Sequence, residues 1–253
     1  MFASARLSRL LLIQFFIALI AAGSVGWFLR TGWTPVIREA ISQLPEGAKI
    51  SDGALQWPDS TPTPLAEGHF LGLVVDPNHK GLVRTVSHVQ VEFGRRDWQI
   101  SSLLGVFTPP DGWDTTYPKE WNIPLTRAEL EPWWGAREPF LIALAMGAVA
   151  AGLMVSWAAL STLYLIPAWL VGFFANRTLD WGGSWKLAGA ALMPGALFLS
   201  AAILLYGMRA FDLVKLGLAF GIHFLAGWIY VLVSPLFLPR NPTVPHDKKN
   251  PFA

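Results

Sequence analysis

The sequence predicts an α+β membrane protein, a four-helix transmembrane bundle plus a small, mainly antiparallel β extracytoplasmic domain. Three observations predict it. Long apolar runs lie towards both ends of the 253-residue chain. Charge is scarce, 14% of residues against 53% hydrophobic, with a mean hydropathy of +0.42, where soluble domains carry about 25% charged residues. Between the first apolar run and the others, residues 30–137 hold most of the prolines and acidic groups, and part of that stretch alternates with the period of two that marks strands.

The elements follow in order. Residues 1–9, with Arg6 and Arg9, form a short N-terminal segment, and residues 10–29 form the first span. Ala21-Ala22-Gly23 could serve as a signal-peptide cleavage site, but the apolar run continues through Val25, Trp27 and Phe28, which favours an uncleaved anchor. Thr34 is a candidate N-cap with Pro35 at the first helical position. Ile37, Ile41 and Leu44 then share one helix face, and Pro45 with Gly47 ends the helix.

Strands are expected next. Lys49–Trp57 carries an Asp52-Gly53 turn, and Pro58–Pro64 (PDSTPTP) reads as a loop. His69–Asp76 and Val83–Phe93 read as strands. In the second, Arg84, Val86, His88, Gln90 and Glu92 share a face that the alternation marks as solvated. Trp98–Leu104 is a further strand, and Thr108–Pro124 an ordered loop. Thr126-Arg127-Ala128-Glu129 fits a capping box.

Residues 138–238 carry the remaining spans, at about 139–175, 187–208 and 213–238, and residues 239–253 form a tail. The first of these runs would be about 55 Å long as a helix, more than one bilayer crossing requires. Charge favours a single span with a continuation. Arg6, Arg9, Arg177, Lys186, Arg240, Lys248 and Lys249 then share one side, which places both termini in the cytoplasm and residues 30–137 outside the bacterial inner membrane. Splitting the run into two spans is the alternative. Trp181–Leu187 (WGGSWKL) reads as a short helix or turn along the inner surface, and Pro167 and Pro194 as hinges or kinks.

Residues with possible chemistry are few. The chain has no cysteine, which excludes disulfides and thiolate chemistry, and a net charge of +2, too small an excess to suggest nucleic acid. His88 and Glu92, four apart on one strand face, are candidate functional residues, with His69 and His79 as distant companions and Asp76 as a carboxylate in turn chemistry. Asp111-Gly112 is also a turn. His223, near a span centre, is the intramembrane candidate. Gly147, Gly195, Gly217 and Gly221 have the small-residue spacing of close helix packing. No nucleophile elbow, phosphate loop or zinc spacing occurs, and no cofactor is implied.

Residues 174–197, FANRTLDWGGSWKLAGAALMPGAL, contain Trp185-Lys186-Leu187 followed by Ala191-Leu192-Met193-Pro194. This resembles the signature region of Yip-type membrane proteins and their bacterial maltodextrin-utilisation-protein-like relatives of unknown function. Ile50-Ser51-Asp52-Gly53-Ala54-Leu55 and Val74–Pro77 are similar to phrases in the exported segment of those relatives. The resemblance implies a multispan membrane protein without assigned catalysis, and it supplies no functional residues. The residues themselves favour a non-enzymatic envelope binding, scaffold or sensor-like protein, touching membrane lipids and a protein partner. A transporter or lipid-handling component is the alternative, and an outer-surface membrane enzyme the second alternative.

Overall fold

The computed structural model describes residues 3–59, 61–78, 85–102, 105–107 and 114–242, with the side chains of 105–107 left aside. His79, Val83, Arg84, Leu104, Asp111-Gly112, Lys248 and Lys249 lie outside the described residues. The chain forms two compact units, Gly26–Leu144 and Met1–Val25 with Ala145–Ala253. Among the described residues, four helices are long and apolar enough to cross a membrane: Leu7–Ser42, Arg127–Phe174, Trp181–Gly207 and Leu213–Phe237.

The first of these corrects the expected start of the second helix. Helix α1 (Leu7–Phe28) does not stop near Leu29. It passes through a π-helical turn at Leu29–Trp33 into α2 (Thr34–Ser42). The Thr34 N–H donates to the carbonyl of Leu29, five residues back, so Thr34 lies inside a helix and is not its cap. Pro35 is tolerated because the wider turn leaves its missing N–H unneeded. The expected stop holds, with the helix ending at Ser42 and Gly47 at φ +87.

The unit Gly26–Leu144 holds two sheets. In the smaller, β1 (Lys49–Ser51) pairs antiparallel with β2 (Ala54–Gln56) and with β8 (Asn122–Pro124). The β1–β2 turn is Asp52-Gly53, both at positive φ, the two-residue hairpin connection that Asp-Gly favours. The larger sheet has the order β3 (Thr63–Glu67), β4 (Leu71–Val75), β5 (Val89–Phe93), β6 (Trp98–Ser102), β7 (Gly105–Phe107). It is antiparallel except for β4 and β5, which run parallel with Val74 opposite Glu92. Two of the expected loops therefore contain strands: β3 begins at Thr63 inside the proline-rich stretch, and β8 lies within 108–124. Proline disguised both, yet both are edge strands, where a missing N–H costs no ladder bond.

The parallel pair explains a second correction. The β5 face carrying His88, Gln90 and Glu92 is not solvated: these residues are 7%, 6% and 5% exposed. A parallel connection must cross over one face of its sheet. Leu71, Leu73 and Val75, with Val89, Val91 and Phe93, pack on the apolar core beneath α2. Thr85 and Ser87, just before β5, lie on the other face. A Cβ at Gly72 would collide with Thr85 Oγ1 and Ser87 Oγ, and Thr85 donates its N–H and its hydroxyl to Gln90 Oε1 at 2.9 and 3.1 Å.

The other unit is helical. Helix α3 (Arg127–Phe174) starts immediately after Thr126 and runs through Pro132, Pro139 and Pro167 without interruption, so the long run is one helix and Pro167 does not break it. Pro194 does coincide with a break. Helices α4 (Trp181–Ala191) and α5 (Met193–Gly207) meet at Leu192, because Pro194 has no N–H for the carbonyl of Ala190. The stretch Trp181–Leu187, expected as a short helix or turn, forms the first two turns of the short helix α4. Asp180 caps it, accepting from the Gly183 N–H at 2.7 Å, and Gly183 and Ser184 are buried. Asp212 caps α6 (Leu213–Val233) in the same way, through Lys215 N–H at 2.8 Å.

Of the four glycines expected to pack helices, Gly195 does so: a Cβ there would come within 2.8 Å of the His223 carbonyl oxygen. Gly147, Gly217 and Gly221 have nothing within 4 Å of a built Cβ, so they make no close helix contact among the described residues. Gly189, which the spacing did not single out, sits against Ser161 and Gln14.

Candidate functional site

In the unit Gly26–Leu144, the core is not closed. Helix α2, both sheets and the first turn of α3 enclose an apolar cavity of about 410 Å³. Ile37 and Ile41, on one face of α2, form one wall with Leu44 just past the helix end, and Leu73, Val75 and Phe93 of the larger sheet form another. Trp57, Trp98 and Trp121 contribute broad aromatic surface. Among the described residues, none that lines it is charged.

Its polar side chains are already used. Tyr117 donates its hydroxyl proton to the Gly94 carbonyl at 3.2 Å. Burial, and then the charge of Asp97, push the Tyr117 phenol up from its ordinary value. Thr116 donates its hydroxyl to Asp114 Oδ1 at 2.6 Å, and the side-chain and backbone bonds from Thr116 lower the Asp114 carboxyl.

Protein interiors hold few voids larger than a water molecule. The cavity is half-enclosed, so solvent reaches part of its apolar wall. The walls gain when hydrocarbon fills the space.

Beside this cavity lies a second, polar cleft of about 240 Å³ lined by Arg38, Ile41, Glu131, Trp134 and Gly135. Arg38 donates from Nε and Nη2 to the same oxygen, Glu138 Oε2, at 3.1 and 2.6 Å. The Glu138 side chain is 10% exposed, whereas that of Arg38 is 62% exposed. Glu131 pairs with Arg127 at 2.9 Å, both well exposed. The indole Nε1–H of Trp134 is buried without an acceptor, a condition that costs about 1–3 kcal/mol.

The residues singled out from the sequence lie elsewhere. Asp76 is buried, and its Oδ1 accepts from the Asn78 N–H at 3.2 Å, as turn chemistry predicts. Glu92 Oε1 accepts from Gln99 Nε2 at 3.0 Å. The ring of His88 lies 4.5 Å from that of His69, centre to centre, and 5.9 Å from Phe70. Among the described residues, no group of three or more His, Asp or Glu could hold a metal ion. His223 lines a separate cavity of about 210 Å³ within the helical unit, with Ser156, Trp157 and Tyr164. Its Nδ1–H donates to the Phe220 carbonyl of its own helix, and Ser156 donates to Leu153 at 2.9 Å, so these polar groups are turned to local use.

Sequence reasoning missed Arg38 and Glu138, a hundred residues apart, and it missed the cavity. One signal was available. Glu138 is an acid placed directly before an apolar run at Pro139, a position that demands a partner. Comparison with protein-family models, with curated proteins and with solved structures gives no match for this chain.

Proposed function

We propose that this is a non-enzymatic, lipid-handling protein of the bacterial envelope, whose exported domain holds a hydrocarbon chain in its core. The positive-inside pattern supports a multi-pass placement in the inner membrane, with both termini cytoplasmic and residues 30–137 outside. The single observation that carries the reading is the apolar, uncharged cavity of about 410 Å³ in the domain's own core. Ligand pockets typically have this size and apolar lining. Membrane lipid is the proposed source of the chain because two cavity walls, α2 and the start of α3, belong to helices apolar enough to cross a bilayer.

The test uses the full chain in lipid nanodiscs doped with a phospholipid carrying a photoreactive diazirine in its acyl chain. Adducts are then mapped by peptide mass spectrometry. Adducts are expected on the peptides of Ile37–Leu44 and Leu73–Val75 as well as on the spans. Ala40→Trp or, independently, Leu130→Trp plugs the cavity and removes the domain adducts while those on the spans stay. Adducts confined to the spans in the unaltered protein would sink the proposal.

A further inference from the structure

We infer that the head of the bound lipid is zwitterionic and seats in the cleft beside the cavity, its phosphodiester against Arg38 and its ammonium against Glu131. This rests on the hydrocarbon-binding reading and adds the class of lipid.

The cavity and the cleft adjoin each other. Ile41 lines both. On α3, Leu130 lines the cavity and the next residue, Glu131, lines the cleft. An amphiphile with its chain among the apolar walls therefore brings its head to Arg38, Glu131 and Trp134.

Arg38 is prepared for an anionic oxygen. It spends Nε and Nη2 on one oxygen of a largely buried carboxylate, which fixes the guanidinium plane. Nη1 takes no part in that pair, and the side chain is mostly exposed. A guanidinium held in this way binds phosphate oxygens with little further loss of freedom. Trp134 adds an indole N–H that has no acceptor in the protein. A head-group oxygen would supply one.

Glu131 is prepared for a cation. Its pair with Arg127 is an exposed i,i+4 contact, and such pairs are held weakly enough to exchange. Two charges line the cleft, Arg38 and Glu131, and each already has a partner, Glu138 and Arg127, so the four sum to zero. A purely anionic head would meet Glu131 with like charge, and an uncharged head would add a complement to neither. A head carrying both signs matches both.

The test measures binding of three single-chain probes of equal chain length to the full protein in amphipol: lysophosphatidylethanolamine, lysophosphatidylglycerol and monoacylglycerol. The ethanolamine probe is expected to bind about tenfold tighter than either of the others. Glu131→Gln should bring it to the level of the glycerol phospholipid and leave monoacylglycerol unchanged. The paired variant Arg38→Gln with Glu138→Gln, which leaves no buried charge alone, should erase the preference over monoacylglycerol. Trp134→Phe keeps the ring, removes the donor, and should weaken both phospholipids several-fold but not monoacylglycerol. Equal binding of all three probes, or tightest binding of the anionic one, overturns the head-group assignment and leaves hydrocarbon binding standing. Failure of all three to bind overturns both.

Discussion

The two units bury different residues. In the helical unit the buried hydrophobic positions are dominated by alanine, such as Ala18, Ala22, Ala168, Ala188 and Ala202, while Leu, Phe and Ile side chains are exposed along α1, α3 and α6. In Gly26–Leu144 the order is reversed: Ile50, Leu55, Leu65, Leu71, Leu73, Val74 and Val75 are inside. The contrast is the one expected if the helical unit lies in the bilayer and the domain in water, as proposed. Where hydrocarbon is the solvent, large apolar side chains gain nothing by leaving it, and helices associate through small residues that allow close approach. Where water is the solvent, burying large apolar area is the main drive. The buried polar bonds of the helical unit fit the same account: Gln14 Nε2 donates to the Gly189 carbonyl at 3.1 Å, and Ser161 donates to Trp157.

The contrast predicts opposite sensitivities. The largest effect should come from shrinking a large side chain in the domain. Leu71→Ala removes a side chain that is 2% exposed and should cost about 3 kcal/mol, read as a lowered unfolding midpoint of the domain. In the helical unit, enlarging a small residue should do the damage. Gly195→Leu must displace the His223 carbonyl and should cost about 2 kcal/mol, measured by thermal unfolding in detergent. Gly217→Leu, facing open space within the chain, should change stability by less than about 0.5 kcal/mol. Equal damage from the two would mean that Gly217 is packed in an assembly, and would break the contrast.

A further, modest effect sharpens it at the cavity edge. Tyr117→Phe loses the bond to Gly94 and should cost about 1 kcal/mol at neutral pH. Its pH dependence is the better signature. The folded Tyr117 keeps its proton above its ordinary pKa of 10, whereas the unfolded chain releases it there. That contribution is therefore complete below pH 10 and is lost as pH rises past it. The phenylalanine variant should show a shallower alkaline decline in domain stability. An unchanged alkaline slope would remove Tyr117 from the account.

Several features were legible in the sequence because they are local. The apolar runs, the Asp52-Gly53 hairpin, the α2 face of Ile37 and Ile41, and the break at Pro194 each depend on a few neighbouring residues. The alternation in Val89–Phe93 was also legible, but its meaning was not: periodicity separates two faces without saying what covers either. The same holds for the glycines. Spacing identified Gly195 and Gly217 alike, and only the neighbours of each distinguish them.

By itself, then, the sequence determined where helices are apolar enough for a bilayer and where strands and turns can form, since those follow from side-chain chemistry over one or two turns of chain. Tertiary structure alone decided the parallel pairing of β4 with β5, the burial of His88 and Glu92, the ion pair of Arg38 with Glu138, and the hollow core. Each of these depends on segments far apart in the chain meeting at a fixed distance. A cavity in particular is what packed side chains fail to fill, and no residue encodes it.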